Sequence, residues 1–256
     1  MTIFYSVSRR SKLVFTAVLC AATVLLTGIL VYVPKTAAVS GNADRLLPIY
    51  CTDRDDNVIS LTFDAAWGDE DTPLLIEILA RYNVKATFFV VGEWVERCPE
   101  SVKALSDAGH EVMNHSNTHP HLPQLSETAI LSELNSCNDK IEAITGVRPS
   151  LLRVPYGDYS NTVITVAESI GMSTIQWDVD SLDWKDLSAA EITDRVLSKA
   201  QSGSIVLFHN AALHTPEALP GIIETLKARG FSFCKVSDMI YKDNYTINHE
   251  GRQCRS

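Results

Sequence analysis

The chain has 256 residues, of which 46% are hydrophobic, and its formal net charge at pH 7 is −9. This length and composition allow one substantial hydrophobic core, so we expect a single globular domain with an appendage. Residues 1–40 carry four basic and no acidic side chains, so the formal charge of residues 41–256 is −13. A domain this acidic is poorly suited to bind nucleic acid or anionic lipid, and a neutral or cationic substrate is favoured.

The N-terminal segment is predicted to cross a membrane. Residues 13–33 are 21 uncharged, mostly apolar residues, enough for a membrane-spanning helix. Arg9, Arg10 and Lys12 precede this segment, which places residues 1–12 in the cytoplasm and the remainder outside it. We therefore expect a single-pass protein of the cell membrane with an extracytoplasmic domain. The alternative is a cleaved signal segment and a secreted domain.

Short apolar runs alternate with segments of helical period in the rest of the chain. Residues 34–56 read as a stalk and entry loop, residues 57–242 as the globular domain and residues 243–256 as a C-terminal tail. The strand candidates are 58–63, 86–91, 111–114, 151–154, 174–177, 205–208 and 231–235. The helix candidates are 72–82, 101–108, 126–145, 161–170, 188–200 and 216–228. This alternation predicts an α/β fold of parallel β/α units, either an open sheet or a closed barrel.

The cysteines outside the apolar segment show no spacing typical of a metal cluster. Cys51 and Cys254 flank the domain and can join its two ends. Cys98 with Cys137 is a second candidate pair, and free thiols are the third alternative.

Residues with catalytic side chains follow the predicted strands. They are Asp64, His115, His119, Arg153, Asp180, Asp183 and His209. Because parallel β/α folds place function at the carboxyl ends of the strands, we expect these residues to share one rim.

The histidine spacing in this group suggests a metal site. His115 and His119 are four residues apart, which allows both imidazoles to reach one ion. Pro120 disfavours a helix at His119, so a tight loop is expected there. Arg153 follows two leucines and is expected to be buried beside a carboxylate, either Asp64 or Asp183.

The ordered segments TFD, HSNTH, RVPYG, DSLDW and IVLFH resemble the five motifs of the polysaccharide deacetylases, carbohydrate esterase family 4, with its NodB-like domain. The resemblance covers residues 57–240, and it implies a distorted (β/α) barrel of about seven parallel strands. With the N-terminal segment, the predicted fold is this barrel plus one transmembrane helix.

The resemblance also implies a role for each matching residue. Asp64 corresponds to the catalytic base, and Arg153 to the arginine that holds it. His209 corresponds to the general acid, and Asp183 to the acid that orients this histidine. The backbone N–H of Tyr156 corresponds to the group that faces the oxyanion.

Binding roles follow from the same resemblance. His115 and His119 correspond to metal ligands, and Trp184 and Leu207 to the lining of the acetyl pocket. The cofactor implied is a divalent metal, zinc first, with cobalt, nickel and manganese as alternatives.

One position departs from the family pattern. The family's common third metal ligand, a second aspartate directly after the base, is replaced by Ala65. Three alternatives follow: Asp69 supplies the missing oxygen, waters complete a two-histidine site, or the metal is lost and the domain only binds glycan. We expect Asp69 to act as the third ligand.

The predicted function is removal of N-acetyl groups from amino sugars of a cell-wall polysaccharide of the peptidoglycan type. Amide hydrolysis needs a base for the water, stabilisation of the oxyanion and a proton for the leaving amine, and the residues named above include candidates for each. The alternatives are an esterase acting on O-acetylated xylan and a non-catalytic glycan-binding surface domain.

Overall fold

A computed structural model describes residues 45–256 of the chain. The strands are β1 (Cys51–Thr52), β2 (Val58–Ala65), β3 (Thr87–Val90), β4 (Glu111–Asn114), β5 (Leu151–Arg153), β6 (Ser173–Ile175), β7 (Val179–Asp180), β8 (Ile205–His209), β9 (Ser232–Phe233), β10 (Tyr245–Ile247) and β11 (Arg252–Arg255). The helices are α1 (Thr72–Arg81), α2 (Gly92–Arg97), α3 (Pro99–Asp107), α4 (Glu127–Thr145), α5 (Asn161–Ser169), α6 (Ala189–Lys199), α7 (Thr215–Ala228) and α8 (Val236–Met239).

The fold is an α/β half-barrel, and its central sheet has seven parallel strands. Its order is β6-β5-β4-β3-β2-β8-β7, and every pair of neighbours is parallel. Strand β9 pairs in addition with the start of β2. Within residues 45–256 no ladder joins β6 to β7, so the predicted barrel of about seven strands is open between them. The strands share one direction, and their carboxyl ends therefore meet at one rim.

Local sequence signals explain where several helices begin. The side chains of Ser126, Ser160 and Ser188 each accept a hydrogen bond from a backbone N–H in the first turn of α4, α5 and α6. Ser188 and Glu191 form a reciprocal capping box, which satisfies two N–H groups that the helix leaves unpaired. Gly146 ends α4 in the left-handed conformation.

The sheet separates two apolar layers. On the outer face Phe63 stacks between Phe88 and Phe208, with ring centroids 4.8 and 5.4 Å away, in a cluster that includes buried residues of α1 and α7. On the inner face Phe89 and its apolar neighbours pack against Val236, Met239 and Ile240 in and after α8. Asp64 is the cross-strand partner of Phe89, so its side chain faces the interior of the half-barrel.

The structure contains strands and helices that the sequence does not predict. Strand β7 and helices α2 and α8 are two, six and four residues long, too short for a periodic pattern. The predicted C-terminal tail instead contains β10 and β11, which form a three-stranded sheet with β1 of the predicted entry loop. The pairing of β1 with β11 joins residues about 200 positions apart, as Cys51 with Arg252, and alternation of side chains in such short strands gives no signal.

The five described cysteines are free thiols, so neither candidate disulfide pair is present. No helix between residues 45 and 256 is long and apolar enough to span a bilayer. The predicted anchor at residues 13–33 lies outside the described residues.

Gly203 is expected to be one of the least replaceable positions of the fold. Its φ is +79°, and a Cβ there would lie 2.0 Å from the backbone oxygen of Thr52. Gly203→Ala is therefore predicted to destabilise the domain by more than about 3 kcal/mol, because left-handed strain and a backbone clash add. Gly146→Ala is the matched control, since its φ of +71° is similar but nothing lies within 4 Å. Thermal unfolding measures both; equal losses would contradict the role of the clash.

Candidate active site

A cleft of about 470 Å³ opens at the carboxyl ends of the parallel strands. The predicted site residues that line it are Asp64, His115, His119, Tyr156, Trp184, Leu207 and His209. Arg153 and Asp183 are buried and contact two of these residues, Asp64 and His209 respectively. A larger groove of about 690 Å³ lies beside α1 and α7, but none of the predicted site residues lines it.

Asp64 is held at the end of β2 by Arg153. The Arg153 Nη1 donates to Asp64 Oδ1 and to Thr62 Oγ1, both at 2.8 Å, and Nη2 donates to the backbone oxygen of Gln176 at 3.0 Å. The guanidinium carbon also lies 4.2 Å from the ring centroid of Phe89. Burial opposes ionisation of Asp64, but the charge and hydrogen bond of Arg153, with the charge of His209, outweigh it and lower the pKa of Asp64.

His209 ends β8, where its cross-strand partner is Asp64. Its Nδ1 lies 2.8 Å from Asp183 Oδ1, while its backbone N–H donates to Asp183 Oδ2 at 2.8 Å. Asp183 Oδ2 also accepts from Thr215 Oγ1 at 2.7 Å, so the carboxylate is fixed from several sides. Burial lowers the pKa of His209, but the hydrogen bond to Asp183 and the surrounding acids, Asp64 among them, prevail and raise it. This arrangement favours the protonated form of His209, which a general acid needs.

His115 and His119 lie at the loop after β4. His115 Nδ1 is 2.8 Å from the backbone oxygen of Arg153, which leaves Nε2 on the side of Asp64, 3.6 Å from Oδ2. The two imidazole centroids are 4.9 Å apart. Burial lowers the pKa of His115 and lowers that of His119 to about 4. Both imidazoles are therefore neutral near pH 7, the form that binds metal. Pro120 follows a tight loop, as predicted, with His119 at φ +60°.

Tyr156 occupies a strained turn after β5. It has φ +60° and ψ 5° within the short helical turn Pro155–Gly157. The Gln176 side chain donates from Nε2 to the Gly157 oxygen at 3.0 Å. Gln176 thus contacts both this turn and, through its backbone oxygen, Arg153. A non-glycine residue in this conformation is a feature that clusters at functional sites.

Trp184 and Leu207 contribute apolar surface to the cleft. Trp184 is 56% exposed, and its backbone N–H donates to Asp183 Oδ1 at 2.9 Å. Leu207 is buried on β8 opposite Asp180 of β7. Together they form an apolar wall next to His209, as a pocket for a methyl group requires.

Comparison with known proteins identifies the family. Residues 52–175 match the family model for polysaccharide deacetylase. A peptidoglycan-N-acetylglucosamine deacetylase of Bacillus cereus is 34% identical over 185 residues, which are 71% of this chain and 67% of that protein. The chain belongs to the polysaccharide deacetylase family. The resemblance of its five motifs to this family is thereby confirmed.

Other relatives of this polysaccharide deacetylase include an uncharacterised protein and a pseudoenzyme. The uncharacterised YlxY of Bacillus subtilis is 33% identical over 75% of this chain, and the chain spans 60% of its length. The crystal structure of BA3943, described as a CE4 family pseudoenzyme from Bacillus anthracis, is 37% identical with a TM-score of 0.73, covering 75% of this chain and 68% of that one. A BA3943 mutant is described as having restored enzymatic activity.

The structure does not bring Asp69 to the two histidines of this polysaccharide deacetylase. Asp69 Oδ2 accepts a hydrogen bond from Ser101 Oγ at 2.7 Å, at the start of α3, and Asp69 does not line the cleft. The expectation that Asp69 swings back is therefore corrected, because its carboxylate already has a partner on another element. Ala65 packs into the outer apolar cluster with Phe63.

The residues present can supply the two histidine ligands of a divalent-metal site. His115 and His119 supply two neutral imidazoles, and His115 Nε2 faces the cleft. Among residues 45–256 no group of three or more His, Cys, Asp or Glu side chains is placed to hold a metal ion. Catalytic zinc usually has three protein ligands, so any ion here depends on water or substrate for its remaining positions.

Several residues of the site carry no sequence signal that identifies them. They are Trp67 and Trp177, which line the cleft, and Gln176, Asn210 and Thr215, which hold its walls. Asp180, which the sequence predicts to lie at the rim, also lines the cleft, and Asn210 directly follows His209. The others are detected only when the strands are paired in space.

Proposed function

We propose that this chain is a hydrolase that removes N-acetyl groups from amino sugars of a peptidoglycan-type polysaccharide. The observation that carries the proposal is a pair of titratable groups at one cleft, of which one is held by an arginine and the other by a carboxylate. Asp64 is held by Arg153, and its pKa is lowered; His209, its partner on the neighbouring strand, is held by Asp183, and its pKa is raised. Two groups whose environments favour opposite protonation states are suited to act as base and acid.

In the proposed reaction Asp64 accepts a proton from the attacking water, whose oxygen bonds to the acetyl carbon. The Tyr156 backbone N–H stabilises the tetrahedral oxyanion. His209 then donates its proton to the sugar nitrogen as the C–N bond breaks, which releases acetate and a free amine. A divalent ion bound by His115 and His119 would lower the pKa of the water and polarise the carbonyl.

The substrate class follows from charge and from the relatives. The described domain lies in a part of the chain with a formal charge of −13, which disfavours an anionic polymer and suits neutral N-acetylated sugars. The Bacillus cereus relative carries the name of a peptidoglycan deacetylase. Export and anchoring through residues 13–33 are part of the proposal. They are tested by treating isolated membranes with carbonate and, separately, with detergent: an anchored chain is released by detergent and not by carbonate.

The metal part of the proposal predicts different effects for two substitutions. His119→Ala is expected to weaken zinc binding by more than about tenfold, since it removes one of two nitrogen donors. Asp69→Ala is expected to leave zinc binding unchanged, because its carboxylate bonds Ser101. Metal analysis and chelator competition on the pure protein measure both. His121→Ala is the control, as this neighbouring histidine pairs with Asp158 at 3.0 Å; zinc loss on Asp69→Ala would refute the assignment.

Acetate release is the direct test of the activity. The full chain is incubated with peptidoglycan, N-acetylglucosamine oligomers and acetylated xylan, each with added zinc, cobalt, nickel or manganese. We expect release from the amide substrates. Release from acetylated xylan alone would make the chain an esterase, and no release from any substrate would reject the hydrolase.

A non-catalytic glycan-binding domain is the second candidate, favoured by one observation. Ala65 is packed in the core and Asp69 is bonded to Ser101, so two histidines are left as protein ligands. The similarity to the pseudoenzyme BA3943 supports the same candidate. Glycan binding without acetate release, unchanged in Asp64→Asn and His209→Ala, would establish it.

A further inference from the structure

Trp67 is an exposed aromatic residue at the cleft that the proposed chemistry does not use. It lines the cleft and is 63% exposed. Its ring centroid is 5.6 Å from that of His119, at an interplanar angle of 67°. This T-shaped contact leaves most of the indole surface in solvent, as its exposure shows, beside the proposed metal ligands. Ligand-binding clefts are lined mainly by apolar and aromatic side chains, so an exposed indole in this lining indicates a binding contact.

The backbone that carries Trp67 is fixed by side chains from other elements. Consecutive carbonyls at residues 66–68 all accept hydrogen bonds. Arg97 Nη2 donates to the first at 2.8 Å, and Asn210 Nδ2 donates to the second and third at 2.6 and 2.7 Å. Trp94 Nε1 also donates to the third at 2.6 Å. The indole is therefore presented by a pre-organised segment, which reduces the entropy lost when a ligand binds.

The other two exposed rings of the cleft have neighbours over their faces. Tyr156 stacks on His121 with centroids 4.3 Å apart and planes at 17°. The Lys185 ammonium lies 4.9 Å from the centroid of Trp184. Among residues 45–256, the aromatic ring that contacts Trp67 is that of His119, in a T-shaped pair. His119 therefore covers at most one face of the indole, and the exposed remainder is available to a flat apolar partner.

We propose that Trp67 is a sugar-binding subsite that stacks on the C–H face of a pyranose ring adjacent to the ring being deacetylated. An indole offers a large rigid apolar surface for such a ring at little conformational cost. The subsite makes the enzyme select oligomers over single sugars. This inference rests on the proposed function for its substrate class, but it concerns binding and has its own readout.

The test compares Trp67→Ala and Trp67→Phe with the unmodified full chain. For the N-acetylglucosamine tetramer, Trp67→Ala is expected to raise KM and the calorimetric Kd by about tenfold, with kcat changed less than about twofold. Trp67→Phe should restore most of the affinity, and neither variant should alter handling of the monosaccharide. Val147→Ala is the control, because Val147 is 59% exposed and lies outside the cleft.

The outcomes separate this inference from the proposed function. Acetate release with an unchanged tetramer KM in Trp67→Ala overturns the subsite and leaves the hydrolase intact. Tetramer binding that weakens in Trp67→Ala without any acetate release supports the subsite and rejects the hydrolase. Failure of the unmodified chain to bind or deacetylate the tetramer overturns both.

Discussion

Asp64→Asn is expected to lower kcat/KM for acetate release by about 10²–10⁴-fold. In the unmodified chain Arg153 Nη1 lies 2.8 Å from Asp64 Oδ1. Asparagine has nearly the same shape as aspartate and keeps an oxygen that can accept this hydrogen bond. It cannot accept the proton of the water, so the step that forms the nucleophile is lost. Initial rates of acetate release from the N-acetylglucosamine tetramer measure the effect.

The same substitution is expected to destabilise the fold. Arg153 is fully buried, and Asp64 is the carboxylate that neutralises it. Breaking a buried ion pair costs about 3–5 kcal/mol, and the dipole of asparagine recovers part of this. Activity must therefore be measured below the unfolding transition of the variant.

Asp56→Asn is the matched control for both readouts. Asp56 also pairs with an arginine, Arg54, but that pair is at the surface and outside the cleft. A surface pair contributes about 0–1 kcal/mol, so this variant should retain both activity and stability. Asp64→Asn with activity within tenfold of the unmodified chain would show that Asp64 is not the base.

The sequence indicates the strands and the rim residues because both have local signals. The observed strand β4, Glu111–Asn114, has the predicted bounds, since the apolar pair Val112 and Met113 lies between the helix-end signal at Gly109 and the histidine-rich loop. Asp64 and His209 end apolar runs, and parallel pairing then makes them neighbours. Such residues can be placed at one rim before any contact is known.

The direction in which a loop side chain points has no such signal. Asp69 lies five residues after Asp64, and its spacing allows it to reach the histidines. The hydrogen bond from Ser101, which is 32 positions away, instead holds it at α3. Trp67 is exposed at the cleft because Asn210 and Trp94 bind the carbonyls around it, and these are also distant in sequence. Contacts of this kind become visible only in the folded chain.

Asp183→Asn is expected to move the alkaline limb of the pH–rate profile to lower pH. His209 must carry a proton to act as the general acid, so activity falls as pH rises through its pKa. Asp183 is buried and raises the pKa of His209 through its hydrogen bond and charge, against the effect of burial. Without this charge the pKa of His209 falls, because burial is then opposed only by the other acids, Asp64 and Asp180, and less of the acid form remains at pH 7.

The free energy of unfolding should also decrease as pH rises through the pKa of His209. The folded-state pKa of His209 is raised above its value in the unfolded chain, so the pair stabilises the fold fully below the unfolded pKa of about 6.5. This contribution is lost as pH rises through the higher folded pKa. The unmodified chain is therefore expected to lose stability over that window, and Asp183→Asn, which lacks the charge, should show a smaller dependence in thermal unfolding.

Glu217→Gln provides the control for Asp183→Asn. Glu217 also faces a histidine, with its Oε2 3.5 Å from His214 Nδ1, but this pair is at the surface of α7. Loss of the Glu217 charge should leave the alkaline limb of the pH–rate profile and the pH dependence of unfolding unchanged. If the alkaline limb is identical in Asp183→Asn and the unmodified chain, His209 is not the titrating acid. If it shifts downward only in Asp183→Asn, the buried carboxylate is what keeps His209 protonated for the leaving amine.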